Sequence, residues 1–359
     1  MRGAGGRVLA PDLWRSTHPA ARVARGLLWP TSALYRCGMG LRAAAYRYRL
    51  LQPHRVPVPV IAVGGLSVGG AGKTPLAAWI AAYYSRRGRR PGVVLRGVGG
   101  DEAPVHRQRV PGAVVVEDPD RPRGCRRAMA AGAQVIVLDD GFQRLDVIRN
   151  LNVAVIAAES VDLTGVLPSG PWREPWTALR RADLMVITRK CASPEQVQRA
   201  VRLAGKFRPR APVAVAALQI AEFRGMRSGS VVDRSRLARA RTLVSAGVAD
   251  PWTFAAQLRA LGADVTLWPW PDHHGYAPGD VARLTSRAAT FDYVVVTEKD
   301  AVKLGALWPC GAPQPIVAML ELTWDTGGQE VETLLSRFTT FTYDGHPSRG
   351  TAATHESHH

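Results

Sequence analysis

The sequence predicts an α/β protein: a two-lobed α/β/α sandwich preceded by a basic, amphipathic N-terminal helical segment. Three observations predict it. Short β-branched apolar runs alternate with helical stretches from about residue 58 onward, the pattern of a parallel sheet covered on both faces. The run Val60 to Pro75, VIAVGGLSVGGAGKTP, carries an apolar strand into a glycine-rich turn and then a helix, which makes the first lobe P-loop NTPase-like. From Arg241 the strand–helix alternation restarts without a second such loop.

Residues 14–52 read as helical, in two pieces broken near Pro30, and Pro53 and Pro57 end them. Residues 1–55 thus form an N-terminal segment. Strands are expected at 58–64, 92–95, 113–116, 134–138, 152–157 and 183–188, with helices at 73–87 and 122–132 and a weaker helical signal at 173–181. A polar helix at 194–206 and a strand at 212–219 complete a nucleotide-binding unit over residues 56–223. Arg224 to Ser235 has loop composition and links it to a second α/β unit over residues 224–340. There, strands at 242–246, 264–268, 292–297 and 315–320 alternate with helices at 252–261 and 278–290, a short one from Lys299, and one at 329–338. Residues 341–359 read as a loose tail.

Composition narrows the function classes. The chain has 359 residues, 46% of them apolar, enough for two ordinary cores. No run approaches the length of a spanning helix, and the arginine-studded first 30 residues do not read as a secretory signal. Cys37, Cys125, Cys191 and Cys310 lie too far apart for a metal motif or a disulfide framework, which suits a reducing compartment. The net charge of +18 implies an anionic partner. Its distribution points to a membrane surface. Residues 1–55 hold ten arginines, no lysine and one acid, Asp12, interleaved with Trp14, Leu27, Trp29, Leu34, Leu41, Tyr48 and Leu50. A basic helix packed on its own domain competes with that reading. No nucleic-acid partner is expected, because zinc-finger, RRM and KH signatures are missing from the sequence. No obligate protein partner is evident.

Several motifs carry chemistry. The amides of Ser67, Val68, Gly69, Gly70, Ala71 and Gly72 can curl around an anion, Lys73 can contact β- and γ-phosphates, and Thr74 can hold Mg²⁺. Ser67 stands where the strict pattern has glycine. The apolar strand at 135–138 ends in Asp139 and Asp140, placed to hold Mg²⁺ beside the phosphate loop. Asp101, in the turn Arg96–Glu102, is a candidate base for a hydroxyl nucleophile; a flexible polar turn is the plainer account. In the proline-framed loop 167–175, Arg173 can bind phosphate and Glu174 can assist the metal. Asp272-His273-His274 offers a proton acceptor or an orienting group. Thr297 to Lys303, TEKDAVK, reads as a charged helix start.

These blocks, in this order and spacing, resemble the tetraacyldisaccharide 4′-kinases of the lipid A pathway, from about residue 26 to 338. The second lobe carries much of the likeness, since Asp272-His-His274 and Thr297-Glu-Lys-Asp-Ala-Val-Lys303 are not general P-loop features. The resemblance implies transfer of the ATP γ-phosphoryl group, with Mg²⁺, to the 4′-hydroxyl of a tetraacylated disaccharide 1-phosphate. It also implies a peripheral enzyme at the cytoplasmic face of the bacterial inner membrane, held to an anionic membrane surface by its N-terminal helix. By the same resemblance Asp101 is the base, partnered by His273 across the cleft. Arg121, Arg173 and Glu174 contact nucleotide or substrate. The chain departs from the family pattern at Gly65, Val98 and Arg144, and its glycine turn at 97–100 runs directly into Asp101-Glu102. The residues taken alone also fit a P-loop kinase or ligase with a soluble substrate, or a nucleotide-switched membrane adaptor.

Overall fold

The computed structural model describes residues 13–339 apart from Arg15; the tail expected at 341–359 and the first dozen residues of the N-terminal segment lie outside the described residues. The N-terminal segment contributes α1 (Pro19–Leu27) and α2 (Trp29–Arg47). His18 caps α1 by accepting from the Ala20 amide, and the break at Leu28 falls just ahead of Pro30, whose ring suits only a first helical turn.

The first lobe follows as β1 (Val60–Gly65), α3 (Lys73–Arg86), β2 (Pro91–Leu95), α4 (Glu102–Arg109), β3 (Val114–Glu117), α5 (Arg121–Ala130), β4 (Val135–Asp139), β5 (Leu151–Ala157), β6 (Leu184–Arg189), α6 (Pro194–Phe207) and β7 (Val213–Gly225). Its central strands are buried along their whole length, so their sequences are continuous apolar runs rather than alternating ones. Along β1, Ile61 and Val63 pack toward α3 while Val60 and Ala62 pack toward α5. Asp120 caps α5, and Ser193 with Gln196 forms a capping box on α6. The helical signal at 173–181 is realised as a 3₁₀ segment, Trp176–Arg181, preceded by Pro175.

The second lobe comprises β8 (Val231–Val232), β9 (Arg241–Ala246), α7 (Pro251–Ala260), β10 (Asp264–Pro269), α8 (Pro278–Ala288), β11 (Tyr293–Thr297), α9 (Glu298–Leu304) and β12 (Ile316–Thr326), and a last helix, α10 (Gly328–Ser336), follows. Leu243, Val294 and Val296 face α8, while Val244 and Val295 pack with Phe254 and Leu258 of α7. The segment 224–235 is not a bare loop. It folds back as a short hairpin, Phe223 opposite Val232, and enters a 3₁₀ turn capped by Asp233.

All twelve strands belong to one sheet, ordered β10-β9-β11-β12-β7-β6-β5-β1-β4-β2-β3, with β8 on β7. Every pairing is parallel except β7–β12 and β7–β8. The β7–β12 ribbon decides where the site lies. β7 runs to Gly225 and β12 to Thr326, both well beyond the strands expected at 212–219 and 315–320. β6 pairs with residues 213–217 of β7. β11 pairs with residues 316–318 of β12, which lie opposite 223–225 at the other end of β7. The lobes therefore hang on opposite ends of the ribbon and run in opposite directions, so the carboxyl ends of both sets of parallel strands face each other across a cleft. Open α/β sheets bind ligands at that end. After Gly327 the chain returns to the first lobe: Val331 and Leu335 of α10 join its core, and the Tyr84 hydroxyl donates to Leu335 O at 2.9 Å.

Candidate active site

The glycine-rich loop closes over the end of β1. Gly69 (φ 89°) and Gly72 (φ 82°) take left-handed conformations, and a Cβ on Gly72 would come within 2.3 Å of Leu218 Cδ1. Ser67 has no such backbone requirement; it bridges Trp172 in extended pairing, so the pattern's missing glycine is no defect here. The Val68 amide donates to Pro171 O at 2.8 Å, and the Thr188 hydroxyl donates to Ala71 O at 2.8 Å. The loop is thereby fixed from two sides.

A cavity of about 470 Å³ opens in front of it, lined from the first lobe by Lys73, Thr74, Asp139, Asp140 and Arg173 and from the second by His273 and Lys299. Lys73 Nζ lies 2.8 Å from Asp140 Oδ1, and Arg173 Nη1 lies 2.8 and 2.6 Å from the two Asp140 oxygens. Burial alone would raise the Asp140 carboxyl, but these two cations hold it below the ordinary range. Asp139 is buried, and burial acts on it in the same direction. Its bond to His106 Nε2, 2.9 Å away, together with attraction from His106 and Lys73, outweighs burial, and its carboxyl too is lowered.

The sequence reading also put Arg121 and Glu174 in contact with ligands. Neither lines this cavity. Arg121 is 2% exposed and donates to Asp118 O (2.7 Å) and Asp139 O (3.3 Å), so it braces the end of β4 from below. Glu174 is paired with Arg181 and receives Gln143 Nε2 at 3.4 Å.

Asp101 and His273 do meet across the cleft. Asp101 sits immediately before α4 with no exposed surface. His273 Nδ1 lies 3.0 and 3.1 Å from its two oxygens, and Lys303 Nζ lies 2.7 Å from Oδ2. Burial pushes the Asp101 carboxyl up, but His273, Lys303 and the nearby Lys299 outweigh it and hold it at about 2. The hydrogen bond to Asp101 raises His273, against partial desolvation, and Asp272 adds to the rise. The imidazole, one quarter exposed, is the member of the pair that faces the cavity; Asp101 stands behind it. The sequence reading had Asp101 meet the substrate hydroxyl directly, with His273 as its partner across the cleft.

Sequence reasoning missed α4 and the residues it carries. EAPVHRQR has little apolar periodicity, yet α4 gathers the site. Glu102 receives Lys299 Nζ at 2.7 Å and lies 3.5 Å from the Thr74 hydroxyl, His106 holds Asp139, and Arg109 grips Glu298 and donates to Leu320 O at 2.8 Å. One signal was available. The adjacent acids Asp101 and Glu102 match Lys303 and Lys299, four residues apart and so on one face of α9.

Comparison with known proteins gives this geometry a family. The profile of the tetraacyldisaccharide-1-P 4′-kinases matches residues 24–339. The chain belongs to that kinase family. It is 37% identical over 323 residues to a tetraacyldisaccharide 4′-kinase of Anaeromyxobacter sp. (strain K), covering 82% of this chain and 85% of that one. It is 33% identical over 357 residues to the corresponding enzyme of Azoarcus sp. (strain BH72), covering 93% and 96%. The fold agrees with a crystal structure of LpxK from Aquifex aeolicus in complex with ATP, at a TM-score of 0.66 and 24% identity over 88% of this chain and 99% of that one.

In this kinase the N-terminal segment sits against the proline-framed loop, whose Pro171 carbonyl in turn holds the phosphate loop at Val68. Ser32 Oγ on α2 accepts from the Ser169 amide at 3.0 Å and lies 3.1 Å from Val166 O, while Trp14 Nε1 donates to Pro168 O at 3.0 Å. The opposite side is open: Leu27, Trp29, Leu34, Leu41 and Leu50 are each about two-thirds exposed or more. Among the described residues no helix is long and apolar enough to cross a membrane.

Proposed function

We propose that this chain transfers the γ-phosphoryl group of ATP to the 4′-hydroxyl of a tetraacyldisaccharide 1-phosphate, a step of lipid A biosynthesis, while lying on the cytoplasmic face of the bacterial inner membrane. One observation carries the reading within the family: Lys73 and Thr74 of the first lobe share one cavity with His273 of the second, whose Nδ1 is held by Asp101 behind it.

Phosphoryl transfer asks for positioning and charge neutralisation more than covalent chemistry. The loop amides and the amino end of α3 cradle the phosphates, and Lys73 exchanges Asp140 for the β- and γ-oxygens. Arg173 stays on the site through Asp140 and adds positive charge. The acceptor hydroxyl enters from the His273 side. Its oxygen bonds to the γ-phosphorus as the bond from that phosphorus to the β–γ bridging oxygen breaks and ADP leaves. Its proton passes to His273 Nε2, while Asp101 holds Nδ1 and balances the imidazolium.

The donor set fits Mg²⁺. Among the described residues no three His, Cys, Asp or Glu side chains converge into a cage. Mg²⁺ seldom uses a cage; it takes one or two carboxylates, a hydroxyl and substrate phosphates. Thr74 and the Asp139–Asp140 pair would supply those groups. Glu174, occupied by Arg181, is left as a brace. Held there, Mg²⁺ would supply positive charge against the phosphates.

The exposed apolar side chains of α1 and α2, with Arg22, Arg36, Arg42 and Arg47 among them, support docking on an anionic surface. The lipid's acyl chains stay in the bilayer while its sugar reaches the cleft. The test is transfer of ³²P from γ-labelled ATP to detergent-dispersed tetraacyldisaccharide 1-phosphate. Lys73→Ala should lower the rate by about 10²–10³-fold, as removal of one transition-state donor does. Labelling that is absent, or indifferent to Lys73, sinks the reading.

A further inference from the structure

We infer that Asp300 is a positioning residue for His273, tying together the three segments that hold the imidazole against Asp101. The inference rests on the reading that the Asp101–His273 pair takes the acceptor proton. Asp300 belongs to the first turn of α9, has no exposed surface and touches neither the cavity nor Asp101. Three donors converge on its carboxylate. The Gly247 amide at the end of β9 lies 3.1 Å from both oxygens, the Tyr276 hydroxyl lies 2.9 Å from Oδ1, and the Thr297 hydroxyl lies 2.6 Å from Oδ2.

Two of these lead to His273. The His273 amide donates to Gly247 O at 3.1 Å, so the peptide unit that Asp300 grips on one side carries His273 on its neighbour. Tyr276 ends the turn that begins at Asp272, and its ring packs edge-on against His274 (4.9 Å) and Trp270 (5.4 Å), on either side of His273. The turn needs this support. His273 sits at φ 56°, a left-handed conformation that is unfavourable for a non-glycine residue and persists only when its surroundings enforce it. Gly247 leaves no room for slack, since a Cβ there would stand 2.8 Å from Asp300 Oδ1.

A double-mutant cycle on kcat separates positioning from bulk stability. Asp300→Asn and Tyr276→Phe are each made in the wild-type and the His273→Ala backgrounds, with folding checked by circular dichroism. In the wild-type background Asp300→Asn should lower kcat about 10- to 100-fold and Tyr276→Phe about 3- to 10-fold, with KM for ATP unchanged, because the phosphate loop lies in the other lobe. In the His273→Ala background both should cost less than about twofold. Equal losses in both backgrounds, or no loss in the wild type, overturn the inference. If Asp300→Asn does not fold, Tyr276→Phe decides alone. If His273→Ala itself runs at the wild-type rate, the proton-transfer reading fails instead, and the two failures are distinguishable.

Discussion

Replacing Asp101 by Asn preserves the shape of an enclosed side chain and changes only what it offers its partners. The carboxylate receives His273 Nδ1 at 3.0 and 3.1 Å and Lys303 Nζ at 2.7 Å. Asn supplies one acceptor and an NH₂ group that must face one of those two donors. His273 then loses both its orientation and the charge that raises it. A positioned base contributes about 10²–10⁴-fold, so Asp101→Asn should remove about 3–5 kcal/mol of transition-state stabilisation at about 1.4 kcal/mol per tenfold. The pH dependence carries the sign. His273 must be neutral to accept a proton, and Asp101 raises it above 6.5, so the wild-type rate should climb with pH through a value above 6.5 and then level. The residual rate of Asp101→Asn should level at lower pH. The assay is the initial rate at saturating ATP and lipid from about pH 5.5 to 9, the range in which a histidine titrates. A flat wild-type profile would mean that Asp101, held at about 2, takes the proton unaided. A variant keeping more than about a tenth of the rate, an effect below the usual range for a base, would mean that the pair is not the proton acceptor.

Leu34→Glu with Leu41→Glu should leave the melting temperature unchanged, because both side chains are about three-quarters exposed, and should cut co-sedimentation with anionic vesicles at least tenfold, since burying each leucine is worth about 1.5–3 kcal/mol. Arg109→Ala removes the cation paired with the buried Glu298 carboxylate, leaving it the Leu320 amide, and frees the Leu320 carbonyl at the contact between α4 and α9; a loss of about 2–4 kcal/mol is expected in chemical denaturation, with little rescue by Lys, which cannot pair through two nitrogens. Gly64→Ala places a Cβ 2.6 Å from the backbone nitrogen of Phe142, so β1 must shift; a cost of about 1–3 kcal/mol, read as a lower melting temperature, should come with weaker ATP binding. Asp101 is held down from 3.8 to about 2, so its contact with His273 and Lys303 stabilises fully above pH 3.8 and is lost as pH falls toward 2; fluorescence-detected acid unfolding should begin at higher pH in Asp101→Asn.

The parallel strands were legible because strands buried on both faces leave long apolar runs, and Val60–Val63 or Val135–Leu138 can hardly be anything else. The phosphate loop was legible because its glycines answer local backbone demands, as Gly69 and Gly72 do. What escaped was decided by partners distant in the chain. α4 carries Pro104 and a polar surface, and it is held by α3, β3 and α9 rather than by its own periodicity. Lys299 and Lys303 read as solvated, but their charges are matched from nearly 200 residues away. The resemblance alone marked Arg121 as a ligand contact, whereas the bonds its guanidinium makes inside the protein, to the end of β4, come from chain neighbours that the sequence does not bring together. The full length of β7 and β12 escaped as well, because the outer parts of an antiparallel ribbon alternate exposed and buried residues and dilute the apolar signal.

That ribbon acts as a ruler. Each residue pair adds about 3.4 Å, so the count of pairs between the β6 contact and the β11 contact sets how far the acceptor side stands from the nucleotide side. Removing two residues from each strand would keep every side chain on its proper face, since the pleat repeats every two residues, yet would draw the lobes together by about 7 Å. Two well-folded halves would then fail to bring His273 to Asp101. Insertions and deletions should therefore be far more costly in residues 217–223 and 318–323 than in surface turns such as 309–311, where an added residue alters no distance between the reacting groups.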